Sequence, residues 1–166
     1  LVSEYYKPES VTIVSIRLHD ESATEGVTDM EAENIHIYYK SDYMEHVQIN
    51  LAGRAATEIV FGEVDLGVSS DYQNSCQMIE EIIMREASEG FLYTTADHYD
   101  LSPAEKQQKT IIITQILREN YEKVRKILVK NRNLLDKMAT LLKERKTLLQ
   151  SDISRLVKEI GIVKVE

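Results

Sequence analysis

Few residues in this chain stand at spacings that could do chemistry. Four histidines, His19, His36, His46 and His98, are scattered along it. Two imidazoles four apart on one helix face, with a glutamate beside the first, can hold zinc and activate water. No histidine here has such a partner: His46 is followed by Val47, and by Asn50 four residues on. The lone cysteine, Cys76, excludes an internal disulfide and a cysteine-based zinc cluster. Cys76 lies on an apolar stripe and reads as an inert, buried thiol. Asp71 falls in a first helical turn, where an acid favours the macrodipole by about 0.3–1 kcal/mol. Arg54 and Glu58, four apart, read as a surface ion pair worth a few tenths of a kcal/mol. Gly26-Val27-Thr28 has two readings: a structural turn and strand, or an exposed edge on which an extended peptide adds a strand.

The elements that must position these residues are mostly helices. Val11 to Leu18 is rich in β-branched residues and alternates like a short strand with one buried face. The polar, acidic stretch 19–34 reads as a loop, with Gly26-Val27-Thr28 a second short strand. From Ser41 the period changes: Met44, Val47, Leu51, Ala55 and Ile59 form the stripe of an amphipathic helix, which Gly62 ends with a left-handed cap. Ser70-Asp71-Tyr72-Gln73 is a capping-box pattern opening a helix with the stripe Cys76, Ile79, Ile83 and Ala87, widened by Ile82 and Met78 and closed by Gly90. Tyr72 and Gln73 read there as a core contact and a cap. After a loop over 91–101, Ser102-Pro103-Ala104-Glu105 is a second capping box with proline at the first helical position. Its helix carries Ile113, Leu117, Tyr121, Val124 and Leu128. Asn131-Arg132-Asn133 breaks it. A helix bearing Leu134, Leu135, Met138, Leu141 and Leu142 follows, then a last one capped by Ser151 and ended by Gly161. The fold class predicted is mainly α, with a small β element near residues 11–28 and a C-terminal helical bundle.

Bulk properties narrow the function classes. At 166 residues, with 43% hydrophobic and 29% charged residues, the chain suits one soluble domain. No apolar run is long enough to span a membrane, and LVSEYYKPES is no secretory signal. The chain does not begin with methionine and reads as part of something longer. A net charge of −8 argues against a nucleic-acid surface. Residues 118–146 nevertheless hold ten basic and four acidic side chains, a local +6 that leaves −14 for the rest. That run reads as a solvated helix surface complementing an acidic segment. A phosphate-binding stripe is the other reading, and it lacks interleaved aromatics.

Three segments, taken in order, resemble the peptidase domain of FtsH-type AAA zinc metalloproteases. Leu51-Ala52-Gly53-Arg54-Ala55-Ala56-Thr57-Glu58-Ile59-Val60-Phe61-Gly62-Glu63 is close to that family's LGGRAAEEIVFGE. Leu66 to Gln73 resembles its STGASNDLQ, and Tyr121 to Ile153 its closing helices. Val11 to Ile16 and Gly26-Val27-Thr28 are similar to its strand and to its GVT. The likeness runs over nearly the whole chain.

The resemblance implies a zinc site built from both histidines of an H-E-x-x-H helix and a downstream aspartate, which corresponds to Asp71. The histidines and the general-base glutamate would lie just upstream of Leu1, since the family's HEAGHALV aligns its last two letters with Leu1-Val2. By this reading the chain is one peptidase domain, 1–100 forming an incomplete zinc-site half and 101–166 a C-terminal helical subdomain. It would be inactive alone. The parent protein would be a homo-hexamer degrading unfolded, membrane and soluble proteins, powered by ATP in a separate AAA module. It would be anchored in the bacterial inner membrane by a segment absent here, with this domain cytoplasmic. The alternative is a catalytically inactive relative serving as an assembly or adaptor module; Leu66-Gly67-Val68, in place of the family's S-T-G-A, favours it slightly.

Overall fold

The computed structural model describes residues 1–16, 26–30, 39–64, 69–85 and 102–165. The predicted mainly helical fold is found, with one small antiparallel sheet among the described residues. Two compact units divide the chain: Leu1–His36 together with Lys126–Glu166, and Ile37–Arg125.

The first unit holds helix α1 (Val2–Tyr6) and strands β1 (Val11–Ser15) and β2 (Val27–Met30). The strand is shorter than its β-branched run: β1 stops at Ser15, and the Ile16 amide adds one more bond in the same register by donating to the Lys146 carbonyl at 2.9 Å. β1 pairs with β2 in a register that skips Thr12, because Val11 faces Met30 while Ile13 faces Asp29. The extra residue is a β-bulge, and the Thr12 hydroxyl reaches the Asp29 carbonyl at 3.1 Å. A third strand, given below as β3, completes the order β2-β1-β3.

Glu4 does what a buried acid must do to be tolerated. It is 2% exposed, and its two carboxylate oxygens accept the amides of Glu9 at 2.8 Å and Val11 at 2.9 Å. The turn between α1 and β1, with Glu9 at φ 65°, is built on those two bonds.

In the second unit, α2 (Lys40–Phe61) buries Val47, Leu51 and Ala55 from the predicted stripe. Gly62 ends it at φ 74°, the left-handed cap expected of it. α3 (Ser69–Arg85) buries Ser75, Ile79 and Ile82, whereas Cys76 and Ile83 are only half-buried. The predicted stripe is therefore centred on Ile79 and Ile82, with Cys76, Met78 and Ile83 at its margins, and the thiol is half-buried rather than the buried group expected. Ser75 can be fully buried because its hydroxyl donates to the Asp71 carbonyl at 2.8 Å. Gly90 and the 91–101 loop lie outside the described residues.

α4 (Pro103–Lys130) opens as predicted. The Ser102 amide donates to Glu105 Oε2 at 2.7 Å and the Glu105 amide to Ser102 Oγ at 3.4 Å. That pairing holds the Glu105 carboxyl below the usual carboxylate range, the Ser102 hydroxyl contributing most. Leu117, Val124 and Leu128 are buried, and Asn120 with them.

Back in the first unit, Asn131 interrupts the helical run as expected and α5 (Arg132–Arg145) follows. Lys146 turns at φ 65°, and Thr147–Leu149 form β3, paired with β1 by Ile13–Leu149, Val14–Leu148 and Ser15–Thr147. The sequence predicts helix here. The correction is β3, and α6 (Gln150–Ile160) starts before Ser151, so Ser151 does not cap it; Asp152 Oδ2 accepts the Leu149 amide instead at 3.4 Å. Val11, Leu148 and Ile153 form the core of this unit, with Val14, Met138, Leu141, Leu142 and Val157 packed around them.

Candidate functional site

Asp71 sits in the first turn of α3 and is half-buried. The helix is assigned from Ser69, so Ser70 falls within its first turn. The Asp71 carboxylate has no hydrogen-bond or ion-pair partner among the described residues, while its backbone carbonyl takes the Ser75 hydroxyl. It is an oxygen donor of the kind zinc accepts, held on a rigid element and left uncommitted. His46 is half-buried on α2. The described residues contain no group of three potential metal ligands. His19, His36 and His98 lie outside them. The residues present therefore fit a metal as one carboxylate ligand and no more.

Val27 and Thr28 belong to the sheet of the first unit, and Gly26 precedes the strand. Val27 faces Ser15 and Thr28 faces Val14 in the β1 ladder. A Cβ on Gly26 would stand 3.3 Å from the Ser15 carbonyl, so glycine allows the close approach of the two strands. β2 has β1 on one side and no described strand on the other. Thr28 also lines an apolar cleft of about 230 Å³ with Val11, Val14, Met138 and Leu142.

The most organised polar cluster is one that sequence reading misses. Arg54 and Glu58 do not form the expected pair with each other. The Arg54 guanidinium carbon lies 5.9 Å from the Tyr72 ring centre and 6.0 Å from that of Tyr121. Glu58 instead accepts the Tyr121 hydroxyl and lies 3.9 Å from Arg125, which also approaches Glu122 at 3.6 Å. Tyr72 is 44% exposed, so it is no core contact, and Gln73 is exposed rather than capping. Desolvation, reinforced by the hydrogen bond to Glu58, pushes the Tyr121 phenol up to about 12 against the opposing pull of Arg54. Burial and the neighbouring Cys76 raise Tyr72 as well. The only signal in the sequence was a basic residue on a small-residue helix face; the aromatic partners come from two other helices.

A mainly helical domain with a small sheet, and one carboxylate in the first turn of a helix, do not by themselves define a catalytic class. Comparison with known proteins supplies it: the model of peptidase family M41 matches residues 2–156, and the chain belongs to that family. Among curated relatives, it is 29% identical over 157 residues to an ATP-dependent zinc metalloprotease FtsH of Kosmotoga olearia, covering 82% of this chain and 24% of that protein. The FtsH of Syntrophobacter fumaroxidans is 26% identical over 168 residues, covering 92% and 26%. That of Thermus thermophilus is 28% identical over 131 residues, covering 72% and 21%. The chain thus spans about a quarter of the length of these relatives.

Proposed function

We infer that this chain is the peptidase domain of an ATP-dependent zinc metalloendopeptidase acting on unfolded polypeptides. The observation that carries the reading is the family match over residues 2–156, with the Asp71 carboxylate, unpartnered among the described residues, at the motif position of the downstream ligand. In this proposal Asp71 supplies one zinc ligand, and an H-E-x-x-H helix elsewhere in the protein supplies two more and the general base. Zinc, when bound, polarises the scissile carbonyl and makes a nucleophile available at neutral pH. The contribution of the chain itself is positional: α3 fixes the carboxylate, and the outer edge of β2 at Gly26, Val27 and Thr28 offers backbone groups to an extended substrate. ATP would be used in an AAA module outside residues 1–166. A homo-hexameric ring, anchored in a bacterial inner membrane with this domain on the cytoplasmic side, belongs to the same proposal. No described helix is long and apolar enough to cross a membrane.

The test uses the intact protein. Zinc content and hydrolysis of an unfolded substrate are measured for wild type and Asp71→Ala. Both should fall sharply in the variant while helical content is retained. Full zinc and full activity in Asp71→Ala would remove Asp71 from the site. Absence of zinc from the wild-type protein would favour the inactive, adaptor-like reading.

A further inference from the structure

The Arg54 cluster borders a cleft that no part of the proteolytic reading uses. Leu51, Arg54, Tyr72, Thr114, Leu117, Arg118 and Tyr121 enclose about 280 Å³ between α2, α3 and α4 of the second unit. Its floor is apolar: Leu51 is 3% and Leu117 7% exposed. Its cations are Arg54 and Arg118.

The local ion-pair pattern leaves those two cations over. Arg125 engages Glu58 and Glu122, and Lys109 engages Glu80. Neither Arg54 nor Arg118 has a carboxylate partner among the described residues. The Thr114 hydroxyl is donated to the Thr110 carbonyl at 2.8 Å and the Tyr121 hydroxyl to Glu58, while Arg54 also hydrogen-bonds Tyr121. The cationic groups facing the cleft are therefore one guanidinium anchored to a phenol and one, Arg118, on an exposed residue. The Arg54 guanidinium carbon lies about 6 Å from the centres of two tyrosine rings, contacts that restrict the side chain and lower the cost of ordering it around a ligand.

We propose that this cleft binds a carboxylate of an acidic polypeptide segment, with Arg54 and Arg118 as its two guanidinium contacts. A carboxylate matches the planar guanidinium fork. An apolar floor beneath the two cations suits an anion carried on a short carbon stem, as in a glutamate side chain, better than a fully hydrated inorganic ion. Asp71 is not among the residues that line the cleft, although Tyr72 follows it on α3.

The experiment titrates the 166-residue chain with a capped triglutamate peptide, its triglutamine counterpart and inorganic phosphate, following the ring resonances of Tyr72 and Tyr121 by NMR. Triglutamate should shift both rings saturably, triglutamine should not, and phosphate should bind more weakly. Arg118→Glu, a change at an exposed position, should weaken triglutamate binding by tenfold or more. Arg54→Met should do so by about tenfold, the loss of one charge-assisted contact. Unchanged circular dichroism shows that each variant still folds. The proposal is overturned by silent tyrosine rings, by equal binding of triglutamine or phosphate, or by an Arg118→Glu variant that binds as wild type.

Discussion

Gln48 Nε2 donates to Asn120 Oδ1 at 2.8 Å, joining α2 to α4 through two amides that are 5% and 4% exposed. Asn120 spends its own amide hydrogens on the Ile116 carbonyl at 2.8 Å and the Met44 sulfur at 3.6 Å. A buried amide is tolerated when its groups are paired, and removing one partner costs more than the bond was worth. Asn120→Leu removes the acceptor of the Gln48 Nε2 hydrogen bond inside the unit and should destabilise the chain by about 1–3 kcal/mol. The midpoint of urea unfolding reads this. An unchanged midpoint would show that the pair contributes nothing.

The Tyr121 phenol, pushed up to about 12 by desolvation and by Glu58, makes stability depend on alkaline pH. Its ordinary value is 10.0, so the folded state holds this proton more tightly than the unfolded chain. The contribution is fully present below pH 10 and is lost as pH rises through 12. Ultraviolet difference titration should therefore show a late-ionising tyrosine, which Tyr121→Phe removes. The same variant should lose less stability between pH 10 and 12 than wild type. A titration curve identical in the two proteins would refute the assignment.

Glu4 gives a prediction of the opposite kind, about a charge that must stay. Its carboxylate holds the amides of Glu9 and Val11, and β1 begins at Val11. Glu4→Ala leaves two amides without acceptors at the start of the central strand. The expected cost is about 2–4 kcal/mol, two charge-assisted bonds less the relaxation of an exposed turn. Chemical denaturation measures it. Amide exchange at Val11 should accelerate with it, and slow exchange there in the variant would mean the turn is held by other contacts.

Much of this arrangement was legible from local rules. The α2 stripe, the Gly62 cap and the Ser102–Glu105 box depend on residues within a turn or two of one another, and such signals survive in a sequence. β3 did not, because its three residues pair with a strand more than 130 positions away and have no period of their own. Glu4 looked like any surface acid until its two amide partners were in view. Arg54 and Glu58 obeyed the four-residue rule on paper, yet Tyr121 and Arg125 on α4 and Tyr72 on α3 compete for them and win. Asp71 was legible as a candidate only through family resemblance, since an acid in a first helical turn is ordinary by itself.

Asn131 was read as a helix break, but its side chain also ties down the C-terminal segment. Its Nδ2 donates to the carbonyls of Ile127 at 2.8 Å and Val163 at 3.0 Å, and its Oδ1 accepts the Val163 amide at 2.7 Å. Val165 is fixed in turn by Tyr5, whose hydroxyl accepts the Val165 amide at 2.9 Å, while the Lys164 ammonium lies 4.2 Å from the Tyr5 ring centre. The segment after Gly161 has no helix or strand bonds of its own, so these side chains are what order it. Asn131→Ala removes both bonds to Val163 and should cost about 1–3 kcal/mol. Its local effect should exceed its global one: the Val163 amide should exchange much faster, and proteolysis should nick residues 161–165 before the rest of the chain. Asn131→Asp, which sets a carboxylate oxygen against the Ile127 and Val163 carbonyls at a position 4% exposed, should be at least as destabilising as alanine. Protection at Val163 equal to wild type in Asn131→Ala would show that Tyr5 alone holds the segment in place.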